Sequence, residues 1–281
     1  MKENRAWSFV IVAAVYSGAC AVGVGLYALL PFAWWLNLLL ADIAATVFTF
    51  IFSVLLKNAS VYDPYWSVQP IVILVAFAFA EGLNLASALT LAVVCCWGVR
   101  LTANWAYTFR NLTVQDWRYT MLKEKTGVFY PFINFTGIHL VPTLIVYACT
   151  LPAVQIIRVA PAMNVWAGLC LLLSVGAFTM QGIADIQMHR FRRARTGGFI
   201  RLGLWKYSRH PNYLGEILHW WGIGGAAFAL MPSAWYLLIG AVLNTVLFLV
   251  VSIPMADGRQ SKKEGFVEYK AQTRMLLPFK K

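Results

Sequence analysis

The chain has 281 residues, of which 60% are hydrophobic and only 12% are charged, and its mean hydropathy is +0.66. A soluble protein normally carries about 25% charged residues, so this composition indicates an integral membrane protein and excludes an ordinary soluble globule. The formal net charge is +12. Because no soluble basic face with interleaved aromatic residues accompanies it, we expect no nucleic-acid partner.

Eight apolar runs follow one another along the chain, most of them near the ~20 residues that a helix needs to cross the hydrocarbon layer. They cover residues 7–30, 32–56, 66–80, 83–109, 132–157, 163–188, 211–230 and 233–255. Unbroken apolar runs predict helices, because a barrel would show alternation. We predict an all-α, polytopic membrane helix bundle of seven to eight transmembrane helices, with eight preferred, in one domain over residues 1–281.

The positive charges predict the topology of this bundle. With eight spans, both termini and the loops after spans two, four and six share one side, which carries all of the 23 Lys and Arg except Arg100 and Arg158. The positive-inside rule places that side, with both termini, in the cytosol. The first run lacks a cleavage site, so we expect it to be retained, in a bacterial inner membrane or, in a eukaryote, the endoplasmic reticulum.

The cysteines and histidines predict neither disulfides nor a metal site. The five Cys are an odd number and lie within or beside apolar runs, which is typical of buried thiols. No pair has zinc-ligand spacing, and the four His form no local cluster. We expect a monomer that interacts with membrane lipid and with a lipid-soluble substrate.

The first polar break and the fourth span hold several candidate residues. In VYDPYWS, Asp63 lies in a Pro-containing break beside Tyr62 and Tyr65, and the same stretch is also typical of an interfacial turn. Arg100 lies inside the fourth span, and Tyr107 is two turns nearer the cytosol on that face. The following QDWRYT, residues 115–120, is predicted to be a cytosolic loop that either covers a ligand or is solvated.

The sixth span ends in QGIADIQMHRFRRAR, where Gln181 and Asp185 are spaced i, i+4 and Arg192 is at i+7 from Asp185. Four arginines form a basic run here: Arg190, Arg192, Arg193 and Arg195. Such a run is common where a span leaves the membrane on the inside. Its functional interpretation is phosphate binding, because guanidinium groups match phosphate oxygens.

The stretch SRHPNYLGE opens the next apolar helix. Pro211 is favoured at a first helical position, and Asn212, Glu216 and His219 then fall on one stripe. Such groups either bond to adjacent helices or form a functional site, and an ionisable residue inside a span favours the second interpretation. The expected cofactor site, mostly within residues 178–281, also includes side chains near this helix start: Arg201, Tyr207, Arg209, His210 and Tyr213.

Two segments carry a family resemblance. GLWKYSRHPNYLGEILHWWG, residues 203–222, resembles the C-terminal signature of the steroid 5α-reductase family, especially its bacterial members of the DUF1295 type, and is similar to the sterol C14 and delta-7 reductases. The tail, from Glu268-Tyr269-Lys270 through Leu276-Leu277-Pro278-Phe279, is similar to that family's closing element. The resemblance covers about 35 residues in these two pieces.

The resemblance implies a membrane reductase that takes NADPH from the cytosol and transfers hydride to the β-carbon of an enone lipid, such as a 3-oxo-Δ4-steroid, with protonation at the α-carbon. It implies that Asn212 and Glu216 face the nicotinamide, and that Asp185 and Arg192 also serve the cofactor. Gln181 stands where the family has Asn. Nothing is carried over to residues 257–260, where the family's His and Tyr have no match.

The same family binds the substrate ketone with a Glu and a Tyr. No Glu is present at the corresponding place, so Asp63, beside Tyr62, is the expected substitute, and Tyr107 is the expected ketone donor. A methyltransferase that uses S-adenosylmethionine on prenylcysteine or phospholipid is the alternative, because SRHPNYLG also satisfies its RHP-x-Y-x-G element. Asn212, Glu216 and the basic run favour the reductase. A transporter is disfavoured, since no paired interrupted half-helices are present. A lipid-binding protein is disfavoured because it would have no use for Asn212, Glu216 and Arg192.

Overall fold

The computed structural model describes residues 2–194 and 197–278, and within these residues the chain forms helices and no β-strand. The all-α prediction is therefore confirmed. The helices are α1 Arg5–Leu29, α2 Trp34–Leu55, α3 Tyr65–Glu81, α4 Leu85–Thr108, α5 Trp117–Thr126, α6 Tyr130–Ile133, α7 Val141–Val159, α8 Val165–Ala194, α9 Pro211–Leu230, α10 Ile239–Leu247, α11 Ile253–Gln260 and α12 Phe266–Gln272. Two π-helical segments, Asn134–Leu140 and Phe248–Ser252, join α6 to α7 and α10 to α11.

In the described part of the chain, seven helical segments are long and apolar enough to cross a membrane. They are Arg5–Leu29, Trp34–Leu55, Ala59–Glu81, Leu85–Thr108, Trp117–Val159, Val165–Ala194 and Pro232–Gln260. The remaining predicted span is α9, which has 20 residues and the predicted bounds but is not among the seven. Asn212, Glu216 and His219 make α9 less apolar than the other seven segments. Hydropathy alone therefore does not identify α9 as a span, and the preferred count of eight depends on where α9 lies in the bundle.

One end of the bundle, called the polar end here, collects both ends of the described chain. Lys2 Nζ donates to Leu56 O at 2.9 Å, which joins the N-terminal segment to the end of α2. Asn111 Nδ2 donates to Glu3 O at 2.9 Å, which adds the segment after α4. Arg259, in α11, lies 4.2 Å from the ring centroid of Trp117.

Contacts at the opposite end complete the topology. Asn84, before α4, donates to Ala160 O after α7, and Asn164, before α8, donates to Ala229 O near the end of α9. The two ends of the described chain thus lie at the polar end, which agrees with an even number of passes; the count of eight, with α9 added to the seven segments, stays a prediction. The shared cytosolic location of both termini also stays a prediction.

The QDWRYT prediction was wrong in part, because Trp117–Thr126 is the helix α5 rather than a loop. Asp116 is its N-cap and accepts a hydrogen bond from Arg118 N at 2.9 Å, which satisfies one of the free donors of the first turn. One of the charged residues that suggested a solvated loop, Asp116, is thus the cap of a helix. α5 lies at the polar end, where Tyr119 OH donates to Asp63 Oδ1 at 2.5 Å.

α8 and α9 pack closely along a line of glycines, and this contact positions the site. A Cβ atom at Gly215 would lie 2.6 Å from Ala177 O, and one at Gly222 would lie 2.7 Å from Cys170 O. These glycines are seven residues apart and therefore lie on one face of α9. Small residues permit close backbone approach between membrane helices, so the polar residues of α8 and α9 come within hydrogen-bond range.

Candidate functional site

A cavity of 1070 Å³ opens at the polar end and is called the polar cavity here. Its walls come from α3, α4, α5, α8, α9, α11 and α12 and from the connections between them. The lining includes eight of the predicted cofactor residues: Gln181, Asp185, Arg192, Arg209, His210, Asn212, Tyr213 and Glu216. Side chains from α8 and α9, which the sequence places on separate helices, therefore face one space.

Glu216 forms the floor of the polar cavity and is almost fully buried, with 3% of its surface exposed. Its Oε2 accepts from Trp97 Nε1 at 2.9 Å and from Gln181 Nε2 at 2.8 Å, and its Oε1 accepts from Trp220 Nε1 at 2.9 Å. Three donors fix the carboxylate in one orientation. A buried carboxylate is tolerated only with such partners.

Two amide oxygens beside this floor have no protein partner. Gln181 Oε1 and Asn212 Oδ1 are buried and accept no hydrogen bond from any of the described residues. Both residues line the polar cavity. Asn212 is one turn before Glu216 on α9, and Gln181 contacts Glu216 from α8. Because unsatisfied buried polar atoms are uncommon in native proteins, this pair of acceptors indicates a ligand that brings N–H or O–H donors.

The three residues of the predicted stripe on α9, Asn212, Glu216 and His219, do not all face the same site. Asn212 and Glu216 face the polar cavity, whereas His219 is outside its lining and fully buried. His219 Nδ1 lies 2.6 Å from Ser174 Oγ, and its ring stacks on Trp97 with centroids 4.8 Å apart. The imidazole therefore packs the bundle interior beneath the site.

Polar pairs join α4 to α8 beside the polar cavity, where Asn104, Asp185 and His189 line it and Arg100 lies behind the lining. Arg100 Nη1 and Asp185 Oδ2 form an ion pair at 2.9 Å, and one turn further His189 Nε2 lies 2.7 Å from Asn104 Oδ1. Arg100 also keeps two buried atoms, Nε and Nη2, without a partner among the described residues. Asp185 is therefore neutralised by the protein, while Arg100 retains unused donors.

The outer rim of the polar cavity is cationic. Arg110, Arg192, Arg259 and Lys263 line it, and none of them has a carboxylate partner within the described residues. Burial lowers the pKa of the Lys263 ammonium, and repulsion from Arg259 and Arg192 lowers it further. Cations that repel one another at a cavity mouth indicate an anion-binding site.

Lys263 also anchors the loop that follows α8. Its Nζ donates to Gly198 O at 2.6 Å. Gly197 and Gly198 have φ values of +72° and +63°, in the left-handed region that favours glycine, and both line the cavity. The loop thereby presents backbone atoms, with no side chains in the way, beside the cationic rim.

Arg209 and His210 line the polar cavity, but both are paired with the buried carboxylate of Asp257. Arg209 Nη2 lies 3.1 Å and His210 Nε2 lies 2.9 Å from the two carboxylate oxygens of Asp257 in α11. Arg209 Nη1 also donates to Thr273 O at 2.6 Å, and Tyr213 stacks on His210. This cluster fastens the start of α9 to α11 and to the C-terminal tail.

The other predicted cofactor residues lie outside the lining. Arg201 stacks over Phe199 at 4.3 Å from the ring centroid and lies 3.4 Å from Gly265 O, while Tyr207 is 44% exposed. Arg195 of the basic run and Phe279 of the tail motif lie outside the described residues. The predicted cofactor set thus divides into eight residues at the polar cavity and two on the surrounding surface.

The three predicted catalytic residues are also not part of this lining. Asp63 accepts from Tyr119, and Tyr62 OH lies 2.8 Å from Thr143 Oγ1 inside the bundle. Tyr107 is 50% exposed and its ring contacts His189 and Arg193. In the structure these side chains bond to other parts of the protein, and their catalytic roles stay predictions.

Sequence reasoning missed several residues of the site. Trp97 donates to Glu216 from 119 residues away, which no local spacing reveals. Asp257, Arg259 and Lys263 had one available signal, the positive charge of the tail after the last span. Asp42 was missed although an acid inside the predicted second span marks a functional candidate; it lies in a separate cavity described below.

Residues 49–273 match the family described as "Protein of unknown function (DUF1295)", and the chain belongs to this family of membrane proteins related to steroid 5α-reductases. It is also 27% identical over 199 residues to "Uncharacterized protein C594.04c" of Schizosaccharomyces pombe. That alignment covers 60% of this chain and 57% of the yeast protein, so the chain spans little more than half of that relative's length. No solved structure matches.

Proposed function

We propose that this member of the DUF1295 family is an NADPH-dependent reductase of the C=C bond of an enone lipid, with 3-oxo-Δ4-steroids as the expected substrate class. One observation carries the proposal: a single cavity has unpartnered amide oxygens at its floor and cations without carboxylate partners at its rim. A ligand that fits must bring an amide-type donor at one end and an anionic group at the other.

NADPH carries a carboxamide N–H donor at its nicotinamide end and an anionic 2'-phosphate at its other end, and the residues present fit both groups. Asn212 Oδ1 and Gln181 Oε1 would accept from the nicotinamide carboxamide, and Arg192, Arg259 and Lys263 would bind the 2'-phosphate, since charge-assisted bonds to phosphate are strong. A volume of 1070 Å³ lies at the upper end of the ~300–1,000 Å³ usual for small-molecule sites, which suits a dinucleotide. When bound, NADPH supplies the hydride.

The protein's own part is to orient the ligands and to stabilise charge. Glu216, held by Trp97, Gln181 and Trp220, keeps Gln181 in place and thereby fixes the acceptor that it presents. Reduction of an enone moves negative charge to the carbonyl oxygen. Arg100 lies outside the cavity lining, but its Nε and Nη2 have no partner in the described chain, so it is a candidate donor to that oxygen if the substrate reaches past Asp185.

The first experiment measures turnover. The purified protein in detergent is given NADPH and a Δ4-3-keto steroid, and loss of reduced-nicotinamide absorbance is followed together with product mass. We expect a mass gain of two hydrogens. Absence of steroid reduction, together with methyl transfer from S-adenosylmethionine to a lipid acid or amine, would overturn the proposal in favour of the methyltransferase.

Variants then test the site itself. Arg192→Ala should raise the dissociation constant for NADPH, and Glu216→Gln should lower turnover, both relative to Arg158→Ala. Arg158 is a matched control because it lies at the opposite end, 4.5 Å from the ring centroid of Trp34. If both variants behave like the control, the assignment of the polar cavity is wrong even where the activity is present.

We also place the polar end in the cytosol, where NADPH is available, on the basis of its positive charges. A reporter fused after residue 278 tests this. A reporter active only outside the cytosol would contradict the placement.

A further inference from the structure

A second cavity, of 330 Å³, lies between α1, α2 and α3 and is called the apolar cavity here. Small and aliphatic side chains line most of it, including Ala19, Gly23, Ala45, Val72 and Ala76. It is partly open, and its three walls are membrane-spanning segments. The cavity is therefore accessible at the depth of the lipid.

Three polar side chains interrupt this apolar lining at one place. Asp42 of α2 is 4% exposed, and its Oδ1 accepts from Tyr65 OH at 2.9 Å. Its Oδ2 accepts from Gln69 Nε2 at 2.6 Å. Tyr65 and Gln69 are spaced i, i+4 on α3, so the two donors approach the carboxylate from one helix face. α2 thus holds a buried carboxylate, as α9 does with Glu216, but this one lies outside the polar cavity.

The hydrogen bonds within this trio leave one buried acceptor, Gln69 Oε1, available to a ligand. The Tyr65 hydroxyl hydrogen and a Gln69 amide hydrogen are both used on Asp42. Gln69 is 6% exposed, lines the cavity, and its Oε1 accepts no hydrogen bond from the described residues. An acceptor buried in this way is destabilising unless something donates to it. The complementary ligand group is therefore a hydrogen-bond donor, and in a mostly apolar cavity at membrane depth an uncharged hydroxyl fits best.

The volume limits the part of the ligand that enters. At the ~30 Å³ that a water molecule occupies in the liquid, 330 Å³ corresponds to about a dozen heavy atoms. That is one chain of about twelve carbons with its head group, whereas a dinucleotide is too large and too polar. Any longer remainder would extend through the opening into the bilayer.

We propose that the apolar cavity binds a membrane-soluble long-chain alcohol, with its hydroxyl donating to Gln69 Oε1 beside Asp42 and its chain between α1 and α3. This inference does not rest on the proposed reductase activity, because neither NADPH nor turnover enters its test. Failure of either proposal leaves the other standing.

The test uses the purified full chain in detergent and a dodecanol that carries a photoreactive group near the end of its alkyl chain. We expect light to attach the probe to α1–α3, as mapped by mass spectrometry. Unlabelled 1-dodecanol should compete at least about ten times better than 2-dodecanone or dodecane, because only the alcohol donates a hydrogen bond. Equal competition by all three, labelling elsewhere, or no labelling would overturn the proposal.

Variants separate recognition from folding. Gln69→Leu and Asp42→Asn should each weaken competition by 1-dodecanol about tenfold, while Glu81→Gln, which changes the other carboxylate of the same cavity, should leave it unchanged. Ala76→Phe should block labelling by filling the cavity with the polar trio intact. If Asp42→Asn does not fold, Gln69→Leu decides alone, and undiminished labelling of a folded Gln69→Leu rejects the site.

Discussion

The polar cavity and the apolar cavity sit in one helical bundle and use ionisable residues in opposite ways. The polar cavity has 1070 Å³ and twelve acidic or basic lining side chains: Arg110, Asp116, Arg118, Asp185, His189, Arg192, Arg209, His210, Glu216, Asp257, Arg259 and Lys263. The apolar cavity has 330 Å³ and its acids are Asp42 and Glu81. Position along the bundle accounts for the difference, because charge is tolerated where helices end and water and loops supply partners.

α3 shows the contrast within one turn. Trp66 lines the polar cavity, whereas its neighbour Tyr65 and the following Gln69 line the apolar cavity. Adjacent helical positions point about 100° apart, so one helix contributes to both cavities and separates them. The rotation of α3 about its own axis therefore decides which of its side chains line each cavity.

Asp257→Ala should produce the largest loss of stability. It leaves Arg209 and His210 buried without their acid, and breaking a buried ion pair by removal of one partner costs about 3–5 kcal/mol. Thermal unfolding in detergent measures the effect. The control is Glu81→Gln, whose pair with Arg158 is 3.5 Å long and partly exposed, and which should cost under about 1 kcal/mol. Equal losses would contradict the distinction between the two ends.

Glu216→Gln should cost about 1–3 kcal/mol, because an amide cannot accept from Trp97, Gln181 and Trp220 as a carboxylate does. Asp42→Asn meets two donors rather than three and should cost less. The free energy of unfolding of each variant gives the comparison. A larger loss for Asp42→Asn would show that the apolar cavity, and not the floor of the polar cavity, is the more demanding polar site.

Gly215→Ala and Gly23→Ala should differ in sign. The first puts a Cβ atom 2.6 Å from Ala177 O and should separate α8 from α9 at a cost of about 1–3 kcal/mol. The second meets Ala41 O at 3.5 Å beside the apolar cavity, an ordinary contact, and should be neutral or up to about 1 kcal/mol stabilising. Unfolding free energies and NADPH affinity are measured together, and an unaffected Gly215→Ala would reject the close packing of α8 on α9.

Arg192→Ala should weaken binding of 2',5'-ADP, a probe of the 2'-phosphate, by about tenfold or more, because a charged hydrogen bond contributes about 1.5–3 kcal/mol. Binding of 5'-AMP should change little, and Arg158→Ala should change neither. Isothermal calorimetry supplies both constants without turnover. Equal weakening of the two nucleotides would place Arg192 outside the phosphate-binding rim.

The smallest expected effect is in pH dependence. Burial and the neighbouring Arg259 and Arg192 lower the pKa of Lys263, so its positive charge is present at low pH and lost at a lower pH than the ~10.4 of an ordinary lysine. Affinity for 2',5'-ADP should therefore decline as pH rises through that lowered pKa. Lys263→Arg keeps its charge and should flatten the profile, and a profile that is identical in the two proteins would remove Lys263 from the site.

Much of the fold followed from local patterns. The bounds of α9 were predicted to the residue, because Pro211 marks its start and Met231-Pro232 its end. Gln181 with Asp185, and Asn212 with Glu216, were placed together because i, i+4 spacing on a helix needs no knowledge of neighbours. α5 was missed because its charged residues suggest a solvated loop, whereas burial of Tyr119 against Asp63 holds the helix at the polar end.

Composition, apolar periodicity and charge distribution alone determine that this chain forms a helical membrane bundle with a cationic end, since hydrophobic length and backbone hydrogen bonding in lipid are local requirements. Tertiary structure decides which faces meet. Trp97 reaches Glu216 across 119 residues and Gln69 reaches Asp42 across 27, and both contacts depend on helix rotation. Gly215 and Gly222 permit the close approach of α9 to α8. Residue spacing within one helix cannot encode its angle to another, so the two cavities emerge only when the helices pack.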